Sequence, residues 1–299
     1  MAWFRKRNGT APDAEKSGSS PSNTDSKGLD HARVKKLTST RRHAIIVASI
    51  FYLLAVVFFI LVEVGNTSSG KVLGEIYFYK LDLSNIFASA STSTLTLQNS
   101  IARTLGLHDF YQVGLWNFCE GYTTDGITHC TKTNPKFWFD PVAILLSELF
   151  AGASIALPSE VNEILYYLRI VSHIMFGFFL VALVLDFILI FLSPIVLFTR
   201  WWSLPMGILS FLAAALAIIA AGLGTAISFV FKYALSSQPD LGVTASVGTK
   251  MLAFEWIAAG STLLAFFIHA GLSCCCTSRR DLRTGRKGGK NLKHADESA

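Results

Sequence analysis

Three groups of residues in this 299-residue chain have the types and spacing to do chemistry. Cys119 and Cys130 lie close together in a long, mostly polar segment. Two such thiols oxidise to a disulfide if their Cα atoms can approach to about 5.5 Å. His129, beside Cys130, could instead join His108 and Cys119 around a metal, and two free thiols are a third reading. Cys274, Cys275 and Cys276 close an apolar run just before Arg279 and Arg280. Cysteines at a membrane edge in that setting are S-palmitoylation candidates, with inert interfacial thiols as the alternative. Asp186 is the one acid well inside an apolar run. It is either hydrogen-bonded to a Ser or Thr of a neighbouring helix or part of a proton or cation path. Glu63 and Glu255 fall near the ends of their runs, so neither matches its depth, and Glu63 reads as an acid reaching the interface.

No enzyme signature accompanies these groups. The chain has no P-loop, no G-x-S-x-G, no H-E-x-x-H and no G-x-G-x-x-G after a soluble strand. Catalytic residues, a bound metal and cofactors are therefore not expected.

The elements that must position these residues are set by composition. Hydrophobic residues make up 52% of the chain and charged residues 15%, against about 25% charged in a typical soluble protein. Mean hydropathy is +0.46. The apolar residues fall in four blocks, each long enough for the about 20 residues a bilayer crossing takes. The spans are expected at 44–64, 170–192, 206–231 and 251–273. The first is too long, and starts too far in, for a cleaved signal peptide. The fold class is thus mainly α, a four-helix transmembrane bundle.

Charge sets the orientation. Residues 1–43 hold ten Lys or Arg against four Asp or Glu, and residues 279–299 hold seven against three. The segment 65–168 holds five against nine. By the positive-inside rule both arms and the 193–205 loop face the cytosol, and 65–169 and 232–250 face the exterior. Basic residues beside a membrane attract anionic lipid, about 1 kcal/mol each; nucleic acid is not an expected partner. Residues 1–32 carry too little to bury and are expected to be disordered. The 274–299 tail is the second basic arm.

The exterior segment has β character. Residues 71–83 alternate enough for a strand, and 84–96 read as a loop or a poor strand. Val113–Tyr122 and Ile127–Thr131 look like two arms of a hairpin, with Asp125-Gly126 as its turn signal. Exterior placement favours the Cys119–Cys130 disulfide. Asn66-Thr67-Ser68 is a glycosylation sequon close to the membrane. Residues 141–151 read as a short amphipathic helix. Ser159 is a plausible N-cap, and no stop signal follows before Pro194. That helix would run about 50 Å, so the second span projects outward and supports the loop. In the third span Ala213, Ala217, Ala221 and Thr225 recur every four residues, with Ala214, Gly222 and Ala226 beside them, a pattern that lets helix backbones approach.

Four spans with Gly114-Leu115-Trp116, then Cys119 and Cys130, in a large first outer loop resemble the claudin-type signature. Asn117-Phe118-Cys119-Glu120-Gly121, the Ser/Thr-containing loop and the run from Asn134-Pro135 to Asp140-Pro141 are similar to the fungal Sur-seven/PalI family, over about residues 44–276. The resemblance implies a claudin-like bundle with a small disulfide-tied β module in its first extracellular loop. It also implies a plasma-membrane tetraspan that builds or occupies a cortical domain beside the eisosome, linked to endocytosis and cell-wall integrity. The partners expected are anionic lipids, cortical scaffold proteins and a second copy of the chain. The PalI branch is associated with ambient-pH signalling, and the short C-terminal arm departs from that branch. A pH-signalling accessory and a channel or transporter subunit are the competing readings.

Overall fold

The structure, a computed structural model, describes residues 39–84, 107–135, 137–141, 159–197, 202–236 and 243–275. Residues 1–38 of the first basic arm, the tail from Cys276 onward, the 85–96 stretch, Arg200 and residues 142–151 of the helix expected after Pro141 lie outside the described residues. The four apolar runs are helices α1 (Ser39–Val64), α2 (Ser159–Leu192), α3 (Ser203–Ser236) and α4 (Thr249–Cys275). Each is long and apolar enough to cross a membrane. A helix suits that solvent because it satisfies its own backbone groups. Ile50, Phe191, Ile208 and Phe267 point out of the bundle, as a lipid-facing surface requires.

α2 runs unbroken for 34 residues and gives way to a 3-10 turn, Ser193–Leu197, at Pro194. α3 has the same length, longer than its apolar centre alone indicates. The turns of α2 from Ser159 to Met175 rise about 25 Å. On α3, Ala213, Ala214, Ala217, Ala220 and Ala221 are all buried, so alanines make the close helix contact. Ala226 is exposed, and a Cβ on Gly222 would meet nothing.

One end of the bundle carries an antiparallel sheet of five strands in the order β4-β3-β2-β1-β5. These are β1 (Tyr79–Asp82), β2 (Phe110–Val113), β3 (Phe118–Tyr122), β4 (Gly126–Cys130) and β5 (Thr244–Val247). The expected 71–83 strand is shorter than its pattern. Leu73–Glu75 form a 3-10 turn, and Val72 is 75% exposed. The reason is Asn66, which sits at φ 59° and reverses the chain after α1. Its N–H donates to the Leu73 carbonyl at 2.9 Å, closing 66–73 into a loop.

The expected Val113–Tyr122 arm is also two strands. Gly114 N–H donates to the Asn117 carbonyl, and Val113 pairs with Phe118 across that turn. β3 and β4 form the hairpin, with Gly126 at φ 76°. β5 corrects the reading of 232–250 as a plain loop. Thr244–Val247 has no run of large apolar residues, and only pairing with β1 makes it a strand.

Sheet and bundle share one core. Phe59 and Phe179 of the helices pack with Phe78, Leu81, Tyr111 and Val113 of the sheet. Tyr79 stacks on Phe231 of α3 at 4.3 Å. A second cluster around Tyr52, Leu189 and Met206 fills the opposite half of the bundle.

Candidate functional site: the junction between sheet and bundle

Of the residues singled out by type, Cys119 and Cys130 lie where α1 ends. Cys119 and Cys130 face each other across β3 and β4 and are joined as a disulfide, with Cα atoms 4.0 Å apart. Cys119 Sγ also lies 3.0 Å from the Asn66 carbonyl oxygen. A disulfide sulfur carries no proton, so this is a packing contact. Gly114 is required by close approach. A Cβ there would stand 2.8 Å from the Asn66 Cβ and 3.0 Å from the Gly65 carbonyl oxygen. Leu115 is buried in the shared core.

Trp116 reaches down to the bundle. Its Nε1–H donates to Glu63 Oε2 at 2.8 Å, and its ring meets Phe176 of α2 edge-on at 4.7 Å. Glu63 is therefore not an acid that merely reaches the interface. It is buried, and its other oxygen has no hydrogen-bond partner among the described residues. Asn117 is fully buried and donates to the Thr131 carbonyl at 3.0 Å.

Asn66, the sequon residue, is part of the same joint. Its Nδ2 donates to the Gln112 carbonyl at 2.8 Å, and the residue is fully buried. The amide nitrogen of the sequon residue is thus engaged in the folded protein.

The histidines do not gather around the cysteines. His129 Nδ1 lies 2.9 Å from Glu120 Oε1, and His108 Nδ1 lies 3.7 Å from Glu120 Oε2. Among the described residues no three His, Cys, Asp or Glu side chains are placed to hold a metal. The cysteine pair thereby takes the disulfide reading.

The sequence model of the SUR7/PalI family matches residues 44–268. The chain belongs to the SUR7/PalI family. It is 25% identical over 257 residues to the SUR7 family protein pun1 of Schizosaccharomyces pombe, an alignment covering 70% of this chain and 86% of that relative. It is 26% identical over 241 residues to Protein PUN1 of Saccharomyces cerevisiae, covering 74% of this chain and 88% of the relative. With its four spans, this family member is a multi-pass membrane protein.

The remaining polar residues of this SUR7/PalI protein sit within the helices. Asp186 is fully buried and accepts from Thr262 of α4 at 2.5 Å, the neighbouring-hydroxyl arrangement. Tyr52 and Ser210 share a hydrogen bond at 2.6 Å, and the Tyr52 ring stacks on His269. Glu255 is fully buried and accepts from Thr225, which accepts in turn from Trp256 Nε1. Sequence reasoning placed Glu63 and Glu255 near the ends of their spans and missed that both are buried. Trp116 was the available signal, because a buried indole needs an acceptor. Cys274 and Cys275 are in the last turn of α4.

Proposed function

We propose that this chain is a non-enzymatic plasma-membrane tetraspan that organises a cortical membrane domain beside the eisosome, with roles in endocytosis and cell-wall integrity. The observation that carries the reading is the junction. Its buried polar side chains bind sheet to bundle, and the motif residues Gly114, Leu115, Trp116, Cys119 and Cys130 are all spent on that structural work. Family membership supports the same class. The charge segregation supports an exterior sheet and two cytosolic termini. In this reading the basic arms, with acyl groups on Cys274, Cys275 and Cys276, hold anionic lipid and cortical scaffold proteins, and copies of the chain associate within the membrane.

The test is surface imaging of a fluorescent fusion beside a Cys119→Ser/Cys130→Ser variant. Patches at the cell surface for the wild type, lost or retained internally for the variant, are expected. An even spread of the wild type over internal membranes refutes the reading. A channel or transporter subunit would rest on Asp186. Unchanged conductance and ion uptake in Asp186→Asn removes it. Normal growth at alkaline pH without the protein removes the pH-signalling accessory.

A further inference from the structure

Glu120 sits in the middle of β3 and is buried. Its two oxygens meet imidazoles from two other parts of the sheet. His129, directly across on β4, places Nδ1 2.9 Å from Oε1, and its side chain is 64% exposed. His108, just before β2, places Nδ1 3.7 Å from Oε2. That is beyond hydrogen-bond reach, and His108 Nδ1 is buried with no hydrogen-bond partner among the described residues. Aromatic rings hold the His108 side chain in place. It stacks on Tyr122 at 4.8 Å and meets Tyr111 edge-on at 6.1 Å. Among the described residues, the ion-pair partners of Glu120 are these two histidines. Of the neighbouring charges, Asp109 accepts from the N–H and Oγ1 of Thr123 at the hairpin tip. Lys80 lies over the Phe110 ring, 3.7 Å from its centre, and strand alternation puts that pair on the opposite face.

We propose that Glu120, His108 and His129 form an acid-tightened clamp that sets how firmly the β3–β4 hairpin is held to the sheet. An imidazole is the side chain that ordinarily changes charge between about pH 5 and 8. Uncharged, His129 gives Glu120 one ordinary hydrogen bond and His108 gives it none, so the buried carboxylate lacks a compensating charge, which is costly. Each proton taken up sets a positive charge against one carboxylate oxygen, and the His129 bond becomes charge-assisted. Drawing the three side chains together pins β4 and the entry to β2 onto β3. β4 has use for such a pin. It is an edge strand, and its ladder to β3 shifts register between Glu120 and Gly121. The Cys119–Cys130 disulfide fixes one end of the hairpin, so the clamp acts on residues 120–129. A histidine that gains a partner on folding contributes stability at low pH and loses it as pH rises. The hairpin therefore tightens in acid and loosens in alkali. With the sheet on the exterior, as the charge segregation argues, the acidity read is that outside the cell. The proposal rests on the geometry of the sheet and not on the cortical role.

The experiment follows hydrogen exchange of the full-length protein in phosphatidylcholine nanodiscs by mass spectrometry. Exchange is measured at about pH 5.5 and about pH 8, with each rate divided by the intrinsic amide rate at that pH. Protection of peptides spanning 119–130 is expected to be about threefold higher at the lower pH, the size a partly exposed ion pair gives. Peptides of β1 and β5 should change little. Glu120→Gln keeps the shape of the side chain and should abolish the difference, and His108→Gln and His129→Gln should each reduce it. Helix content and melting temperature are recorded for each variant. His129 is exposed, so His129→Gln carries the test if Glu120→Gln does not fold. Equal wild-type protection at the two pH values overturns the proposal. So does a difference that survives in Glu120→Gln or is unchanged in His129→Gln, one spread evenly over the whole sheet, or one that vanishes on adding EDTA and so traces to a bound metal.

Discussion

At the sheet end, the buried asparagines bond to loop and strand carbonyls; in the bundle, the bonds from one spanning helix to the next run between side chains. Asn66 donates to the Gln112 carbonyl and Asn117 to the Thr131 carbonyl. Within the helices the pairs are Tyr52 with Ser210, Ser49 with Ser193 and Asp186 with Thr262. The cause is the supply of free carbonyls. A helix uses its carbonyls internally, so bonds between helices fall to side chains, while Ser228 and Ser261 bond back within their own helices. Loops and strand ends leave carbonyls that must be satisfied. The two regions also use glycine differently. Gly248 would place a Cβ 1.6 Å from the Tyr77 carbonyl oxygen, whereas Gly177, Gly222 and Gly260 would meet nothing.

The largest expected contrast follows from those glycines. Gly248→Ala drives the start of α4 into backbone and should cost about 3 kcal/mol or more. Gly222→Ala, in open space on α3, should be neutral or stabilising by up to about 1 kcal/mol. Thermal unfolding of the detergent-solubilised variants checks both, and equal losses would break the contrast.

Next is the disulfide. Removing it with Cys119→Ser/Cys130→Ser should cost about 2–3 kcal/mol on the chain-entropy account. Protease cutting within 107–135 should rise while the helices keep their circular dichroism. Protection equal to wild type would mean that Asn66, Asn117 and Gly114 hold the sheet unaided.

The contrast sharpens at the tryptophan. Trp116→Phe leaves Glu63 buried without its donor and should cost about 1–2 kcal/mol. Tyr52→Phe removes a side-chain pair inside the bundle and should cost about 0.6 kcal/mol. Unfolding midpoints in the same detergent rank them, and the reverse order would refute the distinction.

The smallest effect is at the surface. Lys250 pairs with Glu75 outside the core. That hydrogen bond, with the charge of Lys250, holds the Glu75 carboxyl below its usual range. A group whose folded pKa is depressed contributes above its unfolded value and loses the contribution as pH falls through the folded one. Wild type should therefore exceed Glu75→Gln slightly in melting temperature near about pH 7 and match it near about pH 3. A difference that persists at the lower pH would show a role other than charge.

How much was legible in the sequence varies with the distance over which each feature is decided. Ser159 and Pro194 bracket α2 within one stretch of chain, so its 34-residue length could be read directly. Cys119 and Cys130 are close enough in sequence for their pairing to be argued locally. Glu63 could not be read this way, because its donor Trp116 lies 53 positions away. The burial of Asn66 could not be read either, because its partner Gln112 is 46 positions away. β5 carries almost no strand signal of its own, and its partner β1 belongs to the other loop.

By itself the sequence determined that four helices cross a membrane, that two cysteines share the segment between the first two, and which family the chain resembles. Lipid permits few spanning structures, so length and apolarity nearly decide the helices. The tertiary structure alone decided that Glu63, Asn66 and Glu255 are interior residues and that the second loop completes the sheet. Burial is a property of what other elements pack against a side chain, and for each of these residues that element comes from a distant part of the chain.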